Sequence, residues 1–225
     1  MGLTPLQGLP GATRSGSIDP SLIFHYRSQR EDKESDVGVS VAEDILNRKA
    51  GWKAICGTSD FGEVVNKAEL DNLEGEEVTK RNPYRLAFDL FVDRIVHYIG
   101  AYHVKLGAQV DALVFAGGIG ERSGQLRSIV ARKVVCLGYS NIDEGKNARV
   151  EEGEAKVIDI TDDERRERGR ILVVRTDEQV RVSCYCNSLI DFDLLSWRWR
   201  GSVLLATIFV IDTKMVLAVI TLQIT

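Results

Sequence analysis

Residues 111–132 read DALVFAGGIGERSGQLRSIVAR, and this order of residue types predicts a strand, a glycine turn and a helix. The apolar run at 112–116 has the composition of a buried β-strand. The glycines at 117, 118 and 120 can bring backbone close to a ligand, because glycine has no side chain. The unpaired N–H groups of a following helix can hold an anion or face a nucleotide. A tight connection without a ligand is the alternative, and the motif leaves both open.

Two better-known glycine motifs do not fit this stretch. A dinucleotide-binding fingerprint that begins at Gly118 requires glycine at position 123, where this chain has Ser123. A phosphate-binding loop requires Gly-Lys followed by Ser or Thr, and that sequence does not follow the glycines. Ser123 instead predicts the N-cap of a helix. The buried face of that helix is predicted from apolar residues at helical spacing, namely Leu126, Ile129, Val130 and Val134.

The composition is that of a globular protein. The 225 residues are 44% hydrophobic, which is enough for one large domain or two small ones. A net charge of −4 with dispersed basic residues argues against nucleic-acid binding. The four cysteines are mostly distant in sequence and do not suggest a disulfide framework. We therefore expect a reducing compartment, the cytoplasm.

A single arginine, Arg14, lies in an amino-terminal stretch rich in glycine and proline. Residues 1–19 contain Pro5 and Pro10, so an extended or looped surface is expected there rather than a helix. Gly11 and Gly16 flank the arginine, and such a backbone can bend to aim one guanidinium group at an anion. A solvated arginine without a partner is the alternative.

Three further segments predict regular structure. From Tyr84 to Leu106, apolar residues recur at helical spacing, which predicts a long helix after Pro83. Residues 155–160 and 171–175 are predicted to be strands. The sequence TDEQ at 176–179 is a capping box that predicts another helix. Its first turn would hold Glu178, a carboxylate suited to the helix dipole or to magnesium. The residues that follow, 180–186, alternate like a strand and do not continue a helix.

The end of the chain contains two apolar runs, at 203–211 and 215–222. A membrane helix needs about 20 residues with few charges, whereas Asp212 and Lys214 fall near the middle of this stretch. The charges argue against a membrane span. A pair of β-strands around residues 212–214 is the alternative interpretation.

Five separated segments together resemble the carboxyl-terminal half of the acetate kinase family. They read GLTPLQGL with ATRSGSIDP, GTSDFGEV, FAGGIGERS, LGYSNIDEGKN and VVRTDEQ, and they extend from residue 2 to about 179. The resemblance implies an α/β fold. More specifically, the resemblance implies that residues 1–179 form the ribonuclease-H-like C-terminal lobe of the acetate and sugar kinase, heat-shock protein and actin superfamily. Residues 180–225 do not resemble the family and are expected to be a divergent tail.

The family transfers the γ-phosphoryl group of ATP to acetate with a magnesium ion, giving acetyl phosphate and ADP, and it forms homodimers. The resemblance implies that Arg14 stabilises the transferred phosphoryl group and that Glu178 is the magnesium-linked carboxylate. It also implies two adenosine-contact segments. One is formed by Asp60, Phe61 and Gly62, and the other by Gly118, Ile119, Gly120, Glu121 and Arg122.

The chain departs from the family pattern in several places. Arg122 stands where bacterial relatives commonly have Asn, and Gly62 replaces a longer polar residue of some members. The amino-terminal domain of the family, with further charge-stabilising groups, has no counterpart in these residues. The resemblance therefore implies a fragment with negligible turnover on its own. A non-catalytic ATP-binding lobe and a membrane-associated truncated product are the alternatives.

Overall fold

The computed structural model describes residues 6–22, 41–71, 81–152, 155–162, 169–175, 208–212 and 215–220. For the last two ranges the description covers the backbone alone. The chain divides into two units, Met1–Ile95 and Val96–Thr225.

Among the described residues of the first unit, three short helices follow the amino-terminal loop: α1 (Val41–Arg48), α2 (Gly51–Cys56) and α3 (Phe61–Lys67). Helix α2 begins at a glycine with a φ of 68°, in the left-handed region that favours glycine. Helix α3 begins after Asp60, whose side chain accepts a hydrogen bond from the N–H of Gly62. This N-cap fixes where α3 starts.

Helix α4 (Pro83–Lys105) is the long helix that the apolar spacing predicts, and it continues from the first unit into the second. Its start is capped by Asn82, because Oδ1 of this residue accepts the N–H groups of Tyr84 and Arg85. The predicted inward face is buried along its first part and half-buried further on. The buried members are Ala87, Phe91 and Ile95, and the half-buried ones are Tyr98 and Tyr102.

Four aromatic side chains form much of the core of the first unit. The ring centroid of Trp52 in α2 lies 5.3 Å from that of Phe61 in α3 and 5.6 Å from that of Phe91 in α4. Phe61 also lies 5.0 Å from Phe91 and 6.1 Å from Phe88. All four rings are buried. Because such ring pairs add to simple area burial, this aromatic cluster holds α2, α3 and α4 together.

The described residues of the second unit contain a five-stranded mixed sheet in the order β2-β3-β1-β5-β4. Its centre is β1 (Ala112–Ala116), which is buried along its whole length. This strand pairs in parallel with β3 (Arg170–Val174) and antiparallel with β5 (Met215–Ile220). The edges are β2 (Val157–Asp159) and β4 (Ile208–Asp212). The three strands predicted from residues 112–116, 155–160 and 171–175 are therefore confirmed.

The two apolar runs near the end of the chain contain β4 and β5, which pair antiparallel. Their register places Asp212 opposite Met215. This confirms the β-strand alternative for the backbone of these residues. Within the described part of the chain, the helices lack the combination of length and apolar character that a bilayer crossing requires.

The glycines after β1 form a short helix, so the prediction of a simple glycine turn is wrong. Helix α5 (Gly117–Arg122) follows the strand directly. Gly117 has a φ of 76°, so one residue makes the reversal and the next residues are free to be helical. Ser123 is extended and separates α5 from α6 (Gly124–Val134). As predicted, its side chain caps α6, accepting from the N–H of Leu126, and the predicted apolar face of α6 is buried.

Helix α7 (Glu144–Ala148) and two 3-10 turns, Val135–Leu137 and Arg149–Glu151, complete the described helical segments of the second unit. Just after the first of these turns, the buried hydroxyl of Tyr139 lies 3.2 Å from Nδ1 of His103 in α4. This contact joins the carboxyl-terminal end of α4 to the connection between β1 and β2.

Candidate functional site

The loop of residues 8–17, which carries Arg14, is closed by its own hydrogen bonds. The N–H of Ser17 donates to the carbonyl of Gly8, and the N–H of Gly8 donates to Oγ of Ser17. Inside this closure, the N–H of Gly11 donates to the carbonyl of Arg14 at 2.9 Å. Gly16 has a φ of 72°, and a Cβ there would lie 2.6 Å from loop backbone. The backbone that presents Arg14 is therefore closely specified.

The Arg14 loop is also fastened to the start of α2. The N–H groups of Trp52 and Lys53 donate to the carbonyls of Gly11 and Ala12 at 3.2 and 2.9 Å. The first N–H groups of a helix have no partner within the helix, so the loop satisfies two of them. Two further backbone hydrogen bonds run from Ser15 to Leu46 and from Ala50 to Thr13. The loop and α2 thus form one hydrogen-bonded assembly.

The side chain of Arg14 is half-buried. Its Nε atom lies 3.5 Å from the position that a Cβ would take at Gly11, so the guanidinium group runs along this glycine. A half-buried guanidinium on a fixed loop can present planar donors to an anion. The geometry suits the predicted phosphoryl contact.

The three residues of the first predicted adenosine segment face in different directions. Asp60 and Gly62 are exposed, whereas Phe61 is 7% exposed and lies in the aromatic cluster. Packing, which is the more frequent use of such a ring, is therefore what Phe61 does here. A nucleotide-binding role for Phe61 stays a prediction, as it does for its two exposed neighbours.

A chain of polar side chains supports the connection before α3. Oγ1 of Thr58 accepts the N–H of Asp60 at 3.2 Å and donates to Glu63 at 2.6 Å. Lys67 binds the other oxygen of Glu63 at 2.7 Å, and hydrogen bonds from Lys67 and Thr58 lower the pKa of that carboxyl. The charged form of Glu63 is thereby favoured, which keeps it an acceptor for Thr58. These contacts order the connection that leads to Asp60.

The second predicted segment, Gly118 to Arg122, lies within α5. The N–H of Gly117 donates to the carboxylate of Glu121 at 2.9 Å, so the first helical donor is already satisfied. Gly118 is exposed, and a Cβ there would meet nothing within 4 Å. An open backbone face beside an acidic side chain suits a neutral nucleoside better than a phosphate group. This geometry agrees with an adenosine contact more than with the anion site also considered.

A buried arginine that the sequence motifs did not single out holds the carboxyl-terminal end of α5. Arg127 is 1% exposed. Its Nη1 donates to the carbonyls of Gly120 and Glu121 at 2.8 and 2.6 Å, and its Nε donates to Oδ1 of Asn147 at 2.7 Å. Burial lowers the pKa of Arg127 to about 10, which leaves it charged at neutral pH. Arg127 therefore fixes the segment that carries Gly118.

The predicted magnesium ligand, Glu178, lies outside the described residues. Among the residues that are described, no group of three or more His, Cys, Asp or Glu side chains is arranged to hold a metal ion. Of the other predicted site residues, Arg14 and residues 60–62 belong to the first unit and residues 118–122 to the second.

A mixed sheet whose central strand leads through glycines into two helices defines a protein of the α/β class. The model of the acetokinase family matches residues 1–183. The chain belongs to the acetokinase family.

The chain is 48% identical over 208 residues to a probable acetate kinase of Neurospora crassa, covering 83% of this chain and 43% of that protein. It resembles the crystal structure of the Entamoeba histolytica acetate kinase with a TM-score of 0.64 and 26% identity, over 83% of this chain and 44% of that one. A propionate kinase of Francisella tularensis gives a TM-score of 0.59 and 32% identity, over 81% and 41%. The expected fold is confirmed, and the chain spans less than half the length of these relatives.

Proposed function

We propose that this chain supplies the nucleotide-binding and phosphoryl-stabilising part of an acetate kinase. In the proposed reaction, an oxygen of acetate attacks the γ-phosphorus of ATP, the bond from phosphorus to ADP breaks, and acetyl phosphate forms. Membership of the acetokinase family over residues 1–183 is the observation that carries the proposal. Residues 1–179 would be the lobe concerned, and residues 180–225 the divergent tail.

Phosphoryl transfer through a loose transition state depends on positioning and on neutralising spread negative charge. Arg14 is proposed to stabilise the transferred group, supported by its half-buried side chain on a closed loop. Asp60, Phe61 and Gly62 are proposed as one adenosine-contact segment. Gly118 to Arg122 are proposed as another, supported by the open backbone at Gly118.

Glu178 is proposed as the carboxylate linked to magnesium, on the family resemblance of the sequence RTDEQ. Carboxylate oxygen is a ligand type that this ion prefers. When bound, magnesium would neutralise charge on the phosphate oxygens of ATP. We also propose, from the family, a cytoplasmic homodimer.

The decisive experiment is a chimera of this chain with one of its full-length relatives. The corresponding part of the Neurospora crassa protein is replaced by residues 1–183 of this chain, and acetyl phosphate is trapped with hydroxylamine. We expect ATP-dependent product, and we expect Arg14→Lys to lower kcat by about 100-fold or more, since removing one charge-stabilising donor has that effect. Exposed Arg132→Lys is the matched control and should leave kcat unchanged.

Calorimetry on the unmodified 225-residue chain with Mg·ATP separates catalysis from binding. Heat of binding together with a chimera that forms no acetyl phosphate would support the alternative of a non-catalytic ATP-binding lobe. Comparing acetate with propionate in the active chimera tests which carboxylate is preferred, since one of the similar structures is a propionate kinase.

A further inference from the structure

Trp52 contacts both segments of the first unit that are proposed to bind ATP, namely the Arg14 loop and the start of α3. Its backbone N–H donates to the carbonyl of Gly11 at 3.2 Å, inside the Arg14 loop. Its indole ring packs against Phe61 with 5.3 Å between centroids, at the start of α3. Trp52 is the second residue of α2, which has six residues, so the first turn of this helix makes both contacts.

The contact with the Arg14 loop leaves little freedom for movement. Gly51, which precedes Trp52, has a φ of 68°, and a Cβ there would lie 2.1 Å from the carbonyl oxygen of Gly11. The neighbouring N–H of Lys53 adds a second hydrogen bond, to Ala12 at 2.9 Å. A shift of α2 would therefore carry the loop with it.

The contact between Trp52 and α3 is also buried and leaves little freedom for movement. Trp52 is 4% exposed and Phe61 is 7% exposed. The Trp52 ring also reaches Phe91 of α4 at 5.6 Å, so it lies between two helices. Close-packed interiors transmit small displacements rather than absorb them. The position of α3 is therefore tied to the position of the Trp52 ring.

We propose that Trp52 is a positioning residue that sets the spacing between Arg14 and residues 60–62, and so between the phosphoryl and adenosine ends of one bound ATP. This inference rests on the proposed function. A ligand that touches both ends should depend on that spacing, whereas a ligand that touches one end should not. ATP spans both ends, and adenosine, which lacks the phosphate groups, reaches one.

The test compares Mg·ATP with adenosine by isothermal titration calorimetry on the full 225-residue chain. Trp52→Leu should weaken Mg·ATP binding about tenfold more than adenosine binding, because small misplacements of positioning groups cost up to about 100-fold. Trp52→Phe keeps a ring against Phe61 and should restore the ratio of the two affinities to near the wild-type value. Equal loss for both ligands in Trp52→Leu would overturn the proposal.

Phe88→Leu is the matched control. Phe88 is fully buried and stacks on Phe61 at 6.1 Å, but it belongs to α4. Its truncation should affect the two ligands by the same factor. A selective loss of Mg·ATP binding as large as that of Trp52→Leu would assign the effect to the whole aromatic cluster and overturn the proposal.

Three further outcomes are distinguishable. If Trp52→Leu loses its cooperative thermal transition, Trp52→Met takes its place, since methionine fills irregular gaps, and the same ratio decides. If the wild-type chain binds neither ligand, the proposed nucleotide binding by this chain on its own fails, and this inference fails with it, whereas acetyl phosphate formation by the chimera tests the proposed function separately. Wild-type binding with an unchanged ratio in the variants overturns this inference alone.

Discussion

Nε of Arg127 in α6 donates a 2.7 Å hydrogen bond to Oδ1 of Asn147 in α7, and both side chains are buried. Nη2 of the same guanidinium donates to the backbone carbonyl of Asn147 at 3.1 Å. With its bonds to Gly120 and Glu121, Arg127 connects three helices through one planar group. The proposed adenosine face on α5 therefore depends on a side chain that does not lie on its surface.

Replacing Arg127 by lysine should destabilise the chain markedly. An ammonium group cannot make the same fork of hydrogen bonds, and each buried partner left unpaired costs about 1–3 kcal/mol. We expect Arg127→Lys to lower the free energy of unfolding by about 2–4 kcal/mol, measured by urea denaturation followed by circular dichroism. Arg132→Lys, exposed on the same helix, should stay within about 0.5 kcal/mol of the wild type. Similar losses in both variants would contradict this role.

Gly51 is expected to tolerate no side chain. Alanine there combines a φ of 68° with a Cβ 2.1 Å from the carbonyl oxygen of Gly11. The left-handed backbone alone costs about 1–2 kcal/mol, and the clash adds to it. Gly57 is the matched control, because its φ is 82° and a Cβ there meets nothing within 4 Å. Thermal unfolding should show a clearly larger loss for Gly51→Ala than for Gly57→Ala, and equal losses would rule out the clash.

Short-range patterns predicted a large share of this fold. The strand at 112–116, the Ser123 cap and the buried face of α6 each depend on residues within a few positions, which spacing and capping rules describe. The helix at Gly117–Arg122 was not predicted. The end of this helix is held by buried Arg127. Sequence patterns did not reveal this contact, because an arginine on a helix is ordinarily expected at the surface.

The site was predictable to a smaller extent. From residue types alone, Arg14 could be interpreted either as an anion contact or as a solvated side chain. Only the family resemblance suggested its role. The hydrogen bonds that hold the Arg14 loop against α2 join residues about 40 positions apart through backbone atoms. Backbone hydrogen bonds of that kind leave no residue-specific signal in the sequence except the glycine at 51, which reads equally well as an ordinary turn.

The stability that protonated Tyr139 contributes should be lost between about pH 10 and 12. Burial raises the pKa of this phenol from 10.0 to about 12. Below pH 10 both states are protonated. Above it the unfolded state loses its proton first, so stability is lost as the pH rises through the native pKa, by on the order of 2 kcal/mol.

The corresponding measurement is the thermal midpoint of unfolding across pH 9 to 12. Tyr139→Phe should show a shallower decline than the wild type over this window, whatever its midpoint at neutral pH. Tyr98→Phe, which removes a half-buried phenol, is the control for the loss of a tyrosine hydroxyl elsewhere in the chain. Parallel curves for wild type and Tyr139→Phe would contradict the assignment.

Asp60 has two separable roles, as the N-cap of α3 and as a proposed nucleotide contact. Its Oδ1 accepts the N–H of Gly62 at 2.9 Å, and asparagine caps a helix about as well as aspartate does. Asp60→Asn should therefore leave the free energy of unfolding unchanged, whereas Asp60→Ala should lower it by about 1 kcal/mol. Adenosine is uncharged, so we expect Asp60→Asn to bind Mg·ATP nearly as well as the wild type and Asp60→Ala to bind it more weakly. Calorimetry on the three proteins measures this, and an equal loss of affinity in both variants would mean that the charge of Asp60, rather than its cap, is what ATP binding uses.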